Sequence, residues 1–165
     1  TKSGKDIALL KLAQNVDLSN PNIRAIRYAT ANDVASGTLD PGILGTLTGW
    51  GKSNITGGSM DHLQMVNMHL VSLEDALDAF SRHYGIHRLT PDQLPAWEPN
   101  KSACHGDSGG PLFVRDGSDL ILAGVVSWGK NCDDLAPSMF APTDRLCARP
   151  SASPSRWSWR RSAAL

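Results

Sequence analysis

The apolar residues of this chain fall in short runs separated by turns. Ile7-Ala8-Leu9-Leu10 is continuously apolar and predicts a buried strand, and Leu44 to Trp50 predicts a second, closed by Gly49-Trp50-Gly51. A loop follows from Lys52 to Asp61 and carries Gly57-Gly58. From Gln64 to Val71 the pattern alternates: Val66, Met68 and Leu70 share one face, with Asn67 and His69 opposite. The period then changes. Leu73, Ala76, Leu77 and Phe80 are spaced as on one face of a helix, with Ser72 at the cap and Asp75 three residues on. Leu112-Phe113-Val114 and Leu120 to Trp128 predict two further strands around a turn at Asp116-Gly117-Ser118. Many short strands, one amphipathic helix and no internal repeat predict an all-β barrel or sandwich.

Composition narrows the class. Of 165 residues, 41% are hydrophobic and 19% charged, enough apolar material for a packed core. Sixteen Lys+Arg balance sixteen Asp+Glu, so charge offers no ground for a nucleic-acid or membrane-surface partner. No run approaches the roughly 20 apolar residues that span a bilayer. No cationic stretch followed by an apolar segment and a cleavage site opens the chain, so no leader peptide is expected in it. Cys147 to Leu165 is a Ser/Ala/Arg/Pro-rich tail with no acidic residue and no period. It is expected to be disordered or foreign to the fold. Its four arginines leave the preceding residues acidic, with 12 basic against 16 acidic groups. Residues 1–146 are therefore read as the folded part.

The chemistry concentrates at Cys104-His105-Gly106-Asp107-Ser108-Gly109-Gly110-Pro111-Leu112. Glycines on both sides of a serine permit a sharp turn that exposes its hydroxyl and lets backbone N–H groups converge. A carbonyl attacked by Ser108 could place its oxyanion against the N–H groups of Gly106 and Ser108. A serine hydroxyl is a weak nucleophile, so it needs a general base, usually histidine, oriented by a carboxylate. Taken alone, Gly-Asp-Ser-Gly reads equally as an ordinary glycine-rich turn.

With its neighbours, this nonapeptide resembles the nucleophile segment of the chymotrypsin/trypsin-like serine proteases. Asp6-Ile7-Ala8-Leu9-Leu10-Lys11-Leu12 resembles the segment that carries their triad aspartate. Thr48-Gly49-Trp50-Gly51 resembles the entry to their second barrel, and Val125-Val126-Ser127-Trp128-Gly129 the strand along which substrate pairs. The four motifs keep the family's order and spacing and cover roughly residues 2–146. The resemblance implies an all-β, trypsin-like double barrel, present here as the second barrel plus the last strand and linker of the first. It implies Ser108 as nucleophile, Asp6 as the orienting carboxylate, Gly106 and Ser108 as the oxyanion hole, and Asp107 as the activation ion-pair residue. Ser127, Trp128 and Gly129 would receive a substrate strand. Cys104 and Cys132 would form the disulfide beside the specificity pocket, leaving Cys147 unpaired. Ser102 matches the pocket floor, where a carboxylate would select Lys or Arg, and Ser138 would project a hydroxymethyl into it. A neutral substrate side chain is the expected preference.

The departures are as informative. The family's catalytic histidine precedes the aspartate, and none of His62, His69, His83, His87 and His105 sits in its motif. His105 matches a position that rims the substrate site. All five read as surface or otherwise satisfied histidines, so the expectation is a fragment of a secreted endopeptidase, inactive alone and zymogen-like at Ser108. It would be monomeric and act on polypeptides, with no cofactor and no metal site. Other classes fit less well. Gly106-Asp107-Ser108-Gly109-Gly110 also satisfies the elbow of α/β-hydrolases, but that fold needs a histidine after the serine, and none follows Ser108. A subtilisin-like order could be forced onto Asp6, a histidine and Ser108, without matching flanks. A noncatalytic protease-like binding module would not need to retain Ser108, Asp6 and the glycines. Asn54-Ile55-Thr56 and Asn100-Lys101-Ser102 fit the N-glycosylation pattern, and the second, beside the pocket, is expected to stay unmodified.

Overall fold

The structure, a computed structural model, describes residues 6–146. Its strands are β1 (Arg27–Tyr28), β2 (Leu44–Gly49), β3 (Gln64–Leu70), β4 (Leu94–Trp97), β5 (Pro111–Asp116), β6 (Asp119–Trp128) and β7 (Ser138–Pro142). Helices α1 (Ala31–Ala35) and α2 (Leu73–Tyr84) and a final 3₁₀ turn (Asp144–Leu146) complete the set. Neighbouring strands run β6-β5-β2-β3-β4-β7, and β7 returns to pair with β6, which closes a barrel of six antiparallel strands. Closure removes the exposed sheet edges that invite association. The two residues of β1 add to β6 in parallel, Arg27 opposite Ile121 and Tyr28 opposite Leu122. The all-β barrel expected from the sequence is the observed fold.

Alternation fills the barrel. Leu47 of β2, Met68 and Leu70 of β3, Leu112 and Val114 of β5, and Ile121 and Ala123 of β6 point inward and are buried, joined by Ala96 and Phe140. A second apolar cluster lies outside. Phe80 of α2 packs on Ala136 and Met139, with Tyr84 and Trp128 against them. The Phe80 and Trp128 rings lie 4.9 Å apart, so α2 is keyed to the end of β6. The helix begins as its sequence requires: the Ser72 hydroxyl accepts from Asp75 N–H at 3.0 Å and donates to Asp75 Oδ2 at 2.6 Å. Gly85 ends it in the left-handed conformation.

One predicted strand is absent. Ile7 to Leu10 is in neither helix nor strand, and Leu9 and Leu10 are exposed. An apolar run becomes a buried strand only beside a partner strand, and no described strand pairs with it. Among the described residues, Ile7 to Leu10 therefore joins no sheet. The reading of Cys147 to Leu165 lies outside the described residues.

Candidate active site

The loop that carries Ser108 joins β4 to β5 and is held at both ends. Gly109 N–H donates to Val126 O, and Val126 N–H donates to Gly110 O, each at 2.9 Å, which fastens the loop to β6. Two tight turns follow one another, Asp107 N–H to Cys104 O at 3.0 Å and Gly110 N–H to Asp107 O at 2.8 Å. Gly106 sits at φ +101°, a conformation costly for any side chain, and a Cβ there would come within 3.0 Å of Gly51 Cα. Ser108 is exposed at the crest of this loop. Among the described residues, no hydrogen bond occupies the N–H of Gly106 or of Ser108.

Asp107 turns away from Ser108's exposed side into the protein. Its carboxylate accepts Gly51 N–H at 2.9 Å and Cys104 N–H at 3.0 Å. A Cβ on Gly51 would stand 2.5 Å from the carboxylate carbon, and one on Gly49 would collide with it too. The Gly49-Trp50-Gly51 sequence is thus a cradle for Asp107, and Lys52 N–H continues the contact by donating to His105 O at 2.9 Å. Two main-chain donors thus satisfy the Asp107 carboxylate. The sequence signal was the pair of flanking glycines, whose purpose is invisible until the loops meet.

Ser108 shares a cleft of about 250 Å³ with Ala103, Cys104, His105, Val126 to Gly129, Asn131 and Cys132. A disulfide joins Cys104 to Cys132 with Cα atoms 4.7 Å apart and ties the two walls. A Cβ on Gly129 would meet nothing within 4 Å, so that wall stands open. Ser127 Oγ donates to Asp6 Oδ2 at 2.8 Å, which brings Asp6 to the strand that lines the cleft. The structure thereby gathers Ser108, Gly106, Asp107, Asp6 and Ser127 to Gly129 around the end of β6.

The structure places the two other expected pocket residues beside the cleft. Ser138 is buried, and its hydroxyl accepts Ala103 N–H at 2.9 Å behind the cleft wall. That bond fixes the direction of the hydroxymethyl and supplies the partner that the half-buried N–H requires. Ser102 lines two adjoining cavities, one shared with Asp107 and Lys52 and the other with Asp133 and Asp134, and not the Ser108 cleft. Neither of those aspartates lies loose. Asp133 accepts the Tyr84 hydroxyl at 2.6 Å and Asp134 accepts Asn100 N–H at 2.7 Å. The Tyr84–Asp133 tie was not foreseen, because a tyrosine ending a helix carries no local sign of its partner 49 residues on.

Among the described residues no hydrogen bond joins a histidine to Ser108. His69 Nδ1 pairs with Glu98 Oε2 at 2.6 Å across β3 and β4. His62 and His87 are exposed, His83 lies on α2, and His105 stands at the cleft lip. No group of three or more His, Cys, Asp or Glu among the described residues could hold a metal ion.

A closed antiparallel barrel with an exposed serine on a glycine loop, beside a disulfide-braced cleft, is the architecture of a β-barrel serine protease. A family model described as Trypsin matches residues 1–148, and the chain belongs to that family. Trypsin-1 of Astacus astacus is 36% identical over 129 residues, covering 77% of this chain and 50% of the relative. Trypsin epsilon of Drosophila erecta is 35% identical over 139 residues, covering 82% and 49%. A tryptase of Mus musculus is 31% identical over 137 residues, covering 79% and 48%. The chain spans about half the length of these relatives.

Proposed function

We propose that this polypeptide carries the nucleophile half of a secreted serine endopeptidase that acts on polypeptides as a monomer, with residues 1–146 as its folded part. The observation that carries the reading is that Ser108 and the Asp6-bearing hydroxyl of Ser127 line one cleft. Ser108 Oγ attacks the scissile carbonyl, and the oxyanion accepts from Gly106 and Ser108 N–H. A histidine takes the hydroxyl proton and returns it to the leaving amine, and Asp6 holds that imidazole in the required orientation. The acyl group on Ser108 then passes to water.

The base is not among the five histidines of these 165 residues, so it comes from a segment outside them. The chain alone is then inactive, since removing the base from such a triad costs on the order of 10⁶ in turnover. The cleft lining named above contains no carboxylate, which supports a preference for uncharged side chains over Lys or Arg. The test is labelling by a fluorophosphonate. The isolated chain stays unlabelled, while a longer polypeptide that supplies the histidine is labelled at Ser108 and loses the label in S108A. Labelling that bypasses position 108, or a burst of acyl-enzyme from the isolated chain, would overturn the reading. Cleavage of a peptide library mainly after Arg or Lys would sink the specificity part alone.

A further inference from the structure

The loop between β2 and β3 carries a feature that the reaction at Ser108 does not use. Residues 53–56 are exposed, and the loop stands on a narrow base: an isolated bridge between Lys52 and Ser59, and Met60 N–H donating to Trp50 O at 3.2 Å. At its tip lies the sequence Asn54-Ile55-Thr56. Asn54 Oδ1 accepts both Thr56 N–H at 3.1 Å and the Thr56 hydroxyl at 3.0 Å, so threonine and asparagine face one another. With Oδ1 so engaged, the amide nitrogen is the remaining polar atom of the side chain, and Ile55 beside it is half exposed. A large hydrophilic substituent at this place meets no packed surface.

The second matching sequence is built differently. Asn100 is at φ +60°, with its N–H held by Asp134 Oδ2 at 2.7 Å, and Lys101 N–H donates to Glu98 O at 3.2 Å. Ser102 is half buried and lines the two cavities behind the cleft. This turn lies within four residues of Cys104, whose disulfide closes the region. Asn100 is itself exposed, but it lines one of these cavities together with Asp133 and Asp134 and its backbone is pinned to Asp134.

We propose that Asn54 is an N-glycosylation site and that Asn100 stays unmodified. The donor is an oligosaccharide linked through a diphosphate to a membrane lipid. Asn54 Nδ2 forms a bond to C1 of the reducing-end sugar, the C1–O bond breaks, and the lipid diphosphate leaves with the electron pair. The amide gives up one proton, which the departing diphosphate takes up. The inference rests on the exposure of the loop and not on Ser108, so S108A leaves it unchanged.

The test is translation of the full chain behind a cleavable leader in the presence of microsomes. A control chain bearing an added terminal acceptor sequence reports entry into the lumen. The expected result is a shift of one glycan that endoglycosidase removes. The shift is lost in N54Q and in T56A and retained in T56S and N100Q. No shift while the control is modified would overturn the proposal. So would a shift that survives N54Q and disappears in N100Q, or a second glycan that N100Q removes.

Discussion

Ser127 Oγ donates to Asp6 Oδ2 at 2.8 Å, joining residues 121 positions apart in the chain. The bond is the described link between the exposed segment at Asp6 and the barrel strand that ends in the cleft. A hydrogen bond to a charged group contributes about 1.5–3 kcal/mol, and about 1.4 kcal/mol is a factor of ten in rate. In the histidine-supplied polypeptide, Ser127→Ala should slow fluorophosphonate labelling of Ser108 by about tenfold or more. Ser127→Thr, which keeps the hydroxyl, should recover most of the loss. An unchanged rate in Ser127→Ala would show that Asp6 is positioned without Ser127.

Glycine at position 51 is required by Asp107. A Cβ at Gly51 would lie 2.5 Å from the carboxylate, which is fixed by two main-chain donors and has only a short side chain with which to yield. Gly51→Ala should therefore cost about 1.5–3 kcal/mol, the worth of a disrupted hydrogen bond to a charged, half-buried group. Gly58→Ala, where a Cβ meets nothing within 4 Å, should stay within about 0.5 kcal/mol of the parent. Urea midpoints of the two variants give the comparison. Equal midpoints would remove the cradle from the account.

These two cases show what could be read from the sequence and what could not. The strands that alternate, such as Gln64 to Leu70, and the capped helix at Ser72 announce themselves locally. β7 does not, because Ser138 to Pro142 is buried along its whole length and shows no period. β4 contains Pro95, which ordinarily marks an edge or a non-strand, yet it pairs with both β3 and β7. Ile7 to Leu10 failed in the opposite sense: its apolarity is real, but its partner is not among the described strands. The loop around Ser108 is legible through a dense local motif. Where Ser102 and Ser138 come to rest depends on loops distant in sequence, which no local pattern reports.

Asp33 gives the fold an acid-sensitive contact. Arg27 reaches it with both terminal nitrogens, at 2.8 and 2.9 Å, and also reaches Asp116 at 3.2 Å, while Thr30 donates its N–H and hydroxyl. The Arg27 guanidinium, followed by the Thr30 donors, holds the Asp33 carboxyl well below the ordinary carboxylate range. A depressed folded-state pKa contributes stability above the unfolded value of about 4, and the contribution drains as pH falls below it. Asp33→Asn should therefore lower the urea midpoint at pH 7, and the gap from the parent should narrow by pH 3. A gap independent of pH would assign the effect to packing.

Tyr84 should reveal the opposite sign at the alkaline end. Burial, and then the Asp133 carboxylate beside its hydroxyl, push its pKa up to about 12. A raised value means that the protonated phenol is the form the fold favours. Its contribution is complete below the unfolded value of about 10 and is lost as pH rises through about 12. Tyr84→Phe should cost about 1.5–3 kcal/mol at pH 7, the worth of a hydrogen bond to a carboxylate, and should flatten the stability profile between those two values. The same substitution removes one tie on Asp133, the residue after Cys132 in the wall of the Ser108 cleft, while Asp134 keeps Asn100 N–H and Cys132 keeps its disulfide. Titration of the phenol by ultraviolet absorbance in the folded parent is the direct check, and a midpoint near 10 would break the proposed tie between α2 and that wall.

The disulfide separates stability from cleft geometry. Cys104 and Cys132 enclose a loop with a sequence separation of 28, for which chain entropy gives about 3–4 kcal/mol of stabilisation. Replacing both by serine should lower the urea midpoint accordingly. The barrel core, which contains neither cysteine, should keep its far-ultraviolet signature under native conditions. Labelling of Ser108 in the histidine-supplied polypeptide should fall further than this stability loss explains, because Cys104 belongs to the loop that carries Ser108 and Cys132 to the facing wall. Comparing both readouts at a temperature where each variant is fully folded makes the distinction. Full labelling in the double-serine variant would mean that the hydrogen bonds from Gly109 and Val126 suffice to hold the loop in place.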